Sequence, residues 1–307
     1  MKLVSNLGWT RRESNPLLVY AIDTCYRYTT SPRCNTYLTS NYNTSILIFM
    51  VSFVHTLILS AVEGLTEFLP ISSTGHLILV SKLLGLADTD FLKTFEIVIQ
   101  LGAIMAIVVL YFKKFISSWN LIKKLITAFI PTGAVGLVLY PFIKNVLLGS
   151  SAVTLNALFW GGVAIIAIEW YLRRKKAPVK KESEVTYQQA LIIGTFQSLS
   201  VIPGVSRSAA TIIGGLLTGL DRETATEFSF LLAVPTMVAA SALDIYKSRA
   251  MILHGGGMFT IVLGTVLSFL FAIAAVKFLI GYIKKHDFTA FGIYRIILSV
   301  LFWIFVK

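Results

Sequence analysis

Long apolar runs separated by short polar turns organise the chain from about residue 50 to its end. Six runs, 95–112, 125–143, 152–172, 228–246, 258–280 and 288–306, have the roughly 20-residue length that crosses a bilayer as a helix. Two other regions, about 50–86 and 188–220, are each split at a proline, Pro70 or Pro203, into apolar pieces too short to span alone. Proline removes a main-chain donor and breaks a helix. Peptide groups left unpaired at membrane depth persist only where the backbone is buried in protein or lines a polar cavity. The pattern therefore predicts an all-α, polytopic integral membrane bundle with about six full spans and two re-entrant broken-helix pairs.

The two broken regions head related halves. Phe95, in KTFEIVIQLGAIMA, follows Pro70 by 25 residues, and Phe228, in TEFSFLLAVPTMVA, follows Pro203 by 25. Each half runs through a hydroxyl-rich break, a short apolar piece, a polar turn and a full span. Basic residues cluster in three loops, around Lys113, Lys114, Lys123 and Lys124, around Arg173, Arg174, Lys175, Lys176, Lys180 and Lys181, and around Lys284 and Lys285. With re-entrant breaks these loops share one side, which the positive-inside rule makes cytoplasmic. Lys144, Lys247 and Arg249 are left on the other side with both termini. The first half then enters from outside and the second from inside, so the repeat is inverted, with halves of about 50–150 and 188–307 inside one membrane domain, 50–307. Inverted repeats with broken helices bring their polar breaks together near the midplane.

Composition agrees: 307 residues, 56% hydrophobic and 14% charged, mean hydropathy +0.77, exclude a soluble core. The net charge of +12 sits mostly in short loops, so it reports topology rather than nucleic acid, and an anionic lipid headgroup is the second partner it suits. Cys25 and Cys34 both lie in the polar N-terminal stretch, which leaves redox chemistry no place in the membrane portion. Residues 1–49 read as neither signal peptide nor span. Because Met50 stands just before the first broken pair, the native protein is expected to start there, which N-terminal mass determination checks.

Candidate chemistry concentrates at the breaks. In AVEGLTEFLPISSTGHLILV, Glu63 and Glu67 are four apart, on one helix face and roughly 6 Å from each other. Ser72, Ser73 and Thr74 add hydroxyls after Pro70, and His76 follows. Ionised side chains within a span are costly and mark functional pathways. The second break, VIPGVSRSAAT, supplies Gly204, Ser206, Arg207, Ser208 and Thr211. Arg207 is a planar donor fork suited to phosphate oxygens, at what should be a helix N-terminus. The predicted composite site wants both a cation and an anion. A divalent metal, Mg²⁺ or Ca²⁺, held by one or both of Glu63 and Glu67 and sharing a polyphosphate satisfies that pattern. Phosphoryl transfer needs mainly positioning and charge stabilisation, with Ser73 able to attack phosphorus and His76 or a glutamate to carry the proton. The rival class is a secondary transporter or lipid flippase with the glutamate pair as proton relay. The Ser-Ser-Thr-x-His cluster, redundant in a relay, favours the enzyme.

EGLTEFLPISSTGH and PGVSRSAATI resemble the two signature motifs of the bacterial undecaprenyl pyrophosphate phosphatase family, the integral-membrane type linked to bacitracin resistance. The likeness continues through KTFEIVIQLG and EFSFLLAVP and covers residues 50–307. It implies hydrolysis of undecaprenyl pyrophosphate to undecaprenyl phosphate, recycling the lipid carrier for peptidoglycan synthesis, in a site open to the outer face of the cytoplasmic membrane. It implies metal use and catalysis at Glu63 and Glu67, and active-site roles for Ser72, Ser73, His76, Ser206 and Arg207. One departure is Ala209, where many members carry glycine. On these grounds Ser73 is expected as nucleophile or substrate anchor, Arg207 as pyrophosphate clamp and His76 as acid, base or orienter. Ser72, Thr74, Ser206, Ser208 and Thr211 are expected to bind substrate.

Other polar residues have plainer expectations. Gln100 suits a helix-packing hydrogen bond. Asp221, Arg222 and Glu223 read as a solvated turn starting a helix. Glu169, with Trp170 and Tyr171, reads as interfacial anchoring, as do Trp119 and Trp303. Asp244 is expected to pair with Lys247. Glycines in GGVA and IIGGLL favour close helix approach, within the fold or in a homodimer.

Overall fold

The computed structural model describes residues 43–86, 89–142, 150–175, 185–254 and 258–305, with side chains from Phe53 onward except at 90, 140–142, 175, 243–244, 247–254 and 305. Cys25, Cys34, Lys144, Lys176, Lys180, Lys181 and the side chains of Met50, Asp244, Lys247 and Arg249 lie outside that description. Its elements are helices: α1 Asn43–Thr66, α2 Ser73–Leu83, α3 Asp90–Leu110, α4 Phe112–Ser117, α5 Trp119–Phe142, α6 Ser151–Lys175, α7 Tyr187–Gln197, α8 Arg207–Leu217, α9 Arg222–His254, α10 Met258–Ile283 and α11 Thr289–Phe305. A short 3₁₀ turn, Ser198–Val201, leads from α7 into the second break.

Among the described residues, five stretches are long and apolar enough to cross a membrane: Phe91–Leu110, Trp119–Leu139, Ser151–Arg174, Arg222–Ala242 and Met258–Ile283. Together they make a multi-pass membrane protein, one span fewer than the apolar pattern predicts. The sixth predicted span, 288–306, is α11, whose described part, Thr289–Phe305, has 17 residues. The first broken piece departs the other way, beginning at Asn43 rather than near 50 and reaching 24 residues. The helices after the breaks, α2 and α8, have 11 residues each. At 1.5 Å per residue that is roughly 16 Å, half a hydrocarbon thickness.

Packing shows that both broken pairs are hairpins. Gln189 Nε2, at the start of α7, donates to the Thr218 carbonyl just past α8 (3.0 Å), so chain entering on α7 returns on α8 to the same end. In the first half Leu59 of α1, Leu77 of α2, Phe95 of α3 and Ile261 of α10 form one apolar cluster with Val80 and Leu86, so α2 returns alongside α1.

The halves also exchange partners. α10 packs on α1 and α3, and its counterpart α5 packs on α7 and α9; α6 packs on α11, and α3 on α9. Small residues permit these approaches. A Cβ on Gly64 of α1 would collide with the Ser268 carbonyl of α10, and one on Gly194 of α7 with the Ala128 carbonyl of α5. The α6–α11 crossing is glycine to glycine, Gly162 against the Gly292 carbonyl and the reverse. The glycines of GGVA and IIGGLL are therefore used inside the fold, Gly214 and Gly215 against α7 and Ala225.

The basic loops meet at one end, as the charge pattern requires. Lys114 pairs with Glu227 (2.6 Å), Arg173 with Asp287, and Lys284 with Glu223 (3.4 Å), while Tyr187 donates to Asn120 (2.9 Å). Asp287 lies in the turn before α11; burial raises its carboxyl pKa, but bonds from Arg173 and Thr289 outweigh that and hold it below the ordinary value. Two expectations are corrected here. Glu169 is buried rather than interfacial, accepting from Arg222 Nε (3.0 Å) and the Phe288 backbone N–H (3.1 Å). Arg222 is accordingly an ion-pair partner in a tertiary joint, not part of a solvated turn, although Asp221 does cap α9 through the Thr224 N–H (2.5 Å). Trp119 and Trp303 remain exposed.

Candidate active site

Each break ends in a serine that caps the next helix with an unusual backbone. Ser72 (φ 72°) and Ser206 (φ 76°) are the only non-glycine residues with positive φ among those described. Such a conformation costs about 1–3 kcal/mol and persists where the surroundings over-determine it. Here the serine hydroxyls accept from Gly75 N–H (3.3 Å) and Ala209 N–H (3.2 Å), satisfying one free donor of α2 and of α8. The next residues, Ser73 and Arg207, therefore begin their helices side by side at the centre of the fold.

Glu67 joins the two. One of its carboxylate oxygens accepts from Arg207 Nη2 (2.9 Å) and the other from the Ser73 hydroxyl. Arg207 also donates to the Ser229 carbonyl (3.1 Å) and lies 5.6 Å from the ring of fully buried Phe68. All three polar partners are buried. Removing charges from water in this way is tolerated because each is paired and hydrogen-bonded. Glu63, one turn before Glu67, is 0% exposed, and neither of its oxygens has a hydrogen-bond donor among the described residues. A buried carboxylate without donors calls for a proton or a cation.

The hydroxyls of the second break form a supporting layer. Ser206 and Ser208 are 3.1 Å apart, Ser208 donates to the Leu69 carbonyl of the first break (2.7 Å), and Thr211 meets the Ser229 hydroxyl at 2.6 Å. Holding the breaks together falls chiefly to a residue with no part in the motifs. Arg295 of α11 is 0% exposed and has five N–H donors. They reach five carbonyls at 2.8–3.2 Å: Pro70 of the first break, Gly204 and Val205 of the second, Ala157 and Leu158 of α6. One guanidinium thus joins carbonyls of both breaks to α6.

His76 follows Ser73 by three residues on α2. Its Nδ1 is 2.7 Å from the Ser72 carbonyl and its Nε2 2.8 Å from the Tyr294 hydroxyl, with the two rings parallel within 5°.

This geometry can be set beside known proteins. A profile of the family described as bacitracin resistance protein BacA matches residues 56–301, most of the chain. The chain belongs to that family. Among curated relatives, a protein of Sulfurihydrogenibium sp. (strain YO3AOP1) is 52% identical over 247 residues, 80% of this chain and 96% of its own. One from Persephonella marina is 51% identical over 256 residues, 83% of this chain and all of its own, and one from Aquifex aeolicus is 46% identical over 251 residues, 80% and 95%. All three are named undecaprenyl-diphosphatase.

In this BacA-family chain the predicted residues separate into groups. Glu67, Ser73 and Arg207 form one directly bonded cluster, with Glu63 a turn behind it and Ser72, Ser206, Ser208 and Thr211 bracing its backbone. Thr74 does not join them: it is exposed, since the residue two past the N-cap turns to the opposite face of α2 from Ser73 and His76. His76 does not face Ser73, because both ring nitrogens are engaged elsewhere. Arg295, Tyr294 and Ser229 were not singled out from the sequence. The signal for Arg295 was available, a lone arginine inside the apolar run 288–306.

Proposed function

We propose that the chain hydrolyses undecaprenyl pyrophosphate to undecaprenyl phosphate and phosphate, as the names of its relatives imply for them. The observation that carries the reading is the Ser73–Glu67–Arg207 cluster: a hydroxyl on a carboxylate, and that carboxylate on a guanidinium, at the meeting of two helix N-termini. Such a site suits phosphoryl transfer, in which the protein mainly positions and neutralises. A terminal phosphate taking the Arg207 fork replaces Glu67 there, leaving Glu67 bonded to Ser73 and free to receive its proton. Ser73 Oγ then bonds to the terminal phosphorus as the bridging P–O bond breaks and the lipid monophosphate leaves. Water next displaces Ser73 from phosphorus, and the Ser73 oxygen recovers the proton held on Glu67. The transporter reading assigns no role to the Ser73 hydroxyl.

Glu63 and Glu67 are the residues that would hold a divalent cation, Mg²⁺ or Ca²⁺, and the donor-free oxygens of Glu63 suit one. Bound there, the ion would neutralise charge on the pyrophosphate oxygens. We place the site toward the outer face of the bacterial cytoplasmic membrane, with the basic-loop end inside. In that position the product would re-enter the lipid-carrier cycle of peptidoglycan synthesis, and the activity would confer bacitracin resistance.

The test is phosphate release from a polyprenyl pyrophosphate by the purified protein in detergent, with and without EDTA, for wild type and Glu67→Gln. Release that EDTA suppresses, that Mg²⁺ or Ca²⁺ restores, and that the substitution lowers by about 10³-fold is expected. No release from folded wild-type protein would overturn the reading in favour of transport.

A further inference from the structure

His76 has two nitrogens and two partners of unequal chemistry. The Ser72 carbonyl, 2.7 Å from Nδ1, can only accept, so Nδ1 must carry the ring proton. Nε2 of the neutral ring is then the acceptor, and the Tyr294 hydroxyl at 2.8 Å must donate to it. Tyr294 comes from α11 in the second half and His76 from α2 in the first, 218 residues apart. The ring of Tyr294 lies parallel to the imidazole at 5.6 Å, and Tyr294 is 42% exposed where His76 is buried. The imidazole is thus tied at one nitrogen to the residue beside Ser73 and at the other to a side chain that reaches the protein surface. Its neighbour Arg295 anchors the same turn of α11 to both breaks, which fixes the position of Tyr294 as well.

We propose that Tyr294 is a positioning residue for the hydrolysis: its hydroxyl holds His76 as the Nδ1–H tautomer, with Nε2 the only ring atom that can take a proton. Two proton carriers then stand at separate places. Glu67 serves Ser73 directly, and His76 exchanges protons through Nε2 on the Tyr294 side. The Ser72 carbonyl links them, since any turn of the imidazole pulls on the residue that sets the start of α2.

The kinetic part rests on the phosphatase reading; the tautomer part does not. The chain has four histidines, so protein labelled with ¹⁵N in its imidazoles gives a spectrum in which His76→Gln identifies one set of signals. Wild-type protein in detergent is expected to show a protonated Nδ1 and a bare Nε2 at His76. Tyr294→Phe, which keeps the ring and removes only the hydroxyl, is expected to mix the two tautomers. In phosphate release, Tyr294→Phe should lower kcat about tenfold with KM within about twofold, the loss of one half-buried hydrogen bond. In a His76→Gln background the same change should do nothing further, because coupled residues are non-additive. A His76 protonated at Nε2 in wild type overturns the proposal whether or not Tyr294→Phe folds. So does wild-type turnover in Tyr294→Phe, or an equal loss in both backgrounds. Absence of release from wild type itself is the failure of the phosphatase reading instead.

Discussion

At the first break the cap serine is followed by Ser73 and preceded, just past the end of α1, by Glu67; at the second it is followed by Arg207 and preceded, at the end of α7, by Gln197. Glu67 and Gln197 stand three residues after Gly64 and Gly194, the glycines that touch α10 and α5 in equivalent crossings. Gln197 is fully buried, and its amide donates to Thr132 (2.9 Å) and Thr236 (3.1 Å), side chains of the surrounding helices. Glu67 is bonded instead to Ser73 and across the interface to Arg207. The backbone device, a hairpin whose return helix starts at a positive-φ serine cap, is built twice, whereas each chemical group is built once. An anionic pole from one half and a cationic pole from the other meet because the halves are inverted. The repeat supplies geometry, and departure from the repeat supplies chemistry.

The largest effect tests that division of labour. Arg207→Lys keeps the positive pole but loses the planar fork that bonds Glu67 and the Ser229 carbonyl together. Turnover should fall by about 10²–10³-fold, the cost of removing one preorganised donor to developing charge. Gln197→Glu, at the equivalent place in the other half, should not restore it. Near-normal turnover in Arg207→Lys would mean that charge alone suffices and the poles need no specific geometry.

Next in size is the tether shared by both breaks. Arg295→Met removes five donors from five carbonyls, three of the bonds fully buried, and destabilisation of about 3–5 kcal/mol is expected in detergent unfolding, the range for breaking a buried polar network. Arg295→Lys, with three donors, should recover part of it. A loss under about 1 kcal/mol would show that the breaks are held by helix packing and that Arg295 is dispensable.

These residues also show where sequence reading stopped. The breaks were legible because proline, glycine, hydroxyls and charge within apolar runs violate what lipid tolerates. The inverted repeat was legible because Pro70–Phe95 and Pro203–Phe228 share a spacing. Arg295 carries no motif around it, and its partners come from segments 90 to 225 residues away. Glu169 looks like any acidic residue at a span end until Arg222 and the Phe288 N–H are brought to it by the tertiary fold. Which way His76 points depends on the Ser72 carbonyl, whose direction follows from a positive φ that the residue type does not encode. Helical pattern names the face a residue occupies, but not the partner waiting there.

The smallest effect asks whether the two caps are equivalent as scaffolding, whatever their chemistry. Alanine at Ser72 or Ser206 removes the hydroxyl that satisfies Gly75 or Ala209 N–H and keeps a Cβ in a region that disfavours it, so each should cost about 1 kcal/mol or a little more. Glycine also loses the hydroxyl but relieves the backbone, so each should cost only a few tenths of a kcal/mol. The alanine-to-glycine difference isolates the strain, and it should be alike at both positions because φ is 72° at one and 76° at the other. Unfolding of the four variants in detergent measures it. A difference present at Ser206 and absent at Ser72 would mean that the first break relaxes without its serine. The symmetry of the backbone would then be imposed on it by Arg207, Glu67 and Arg295 rather than built into each half.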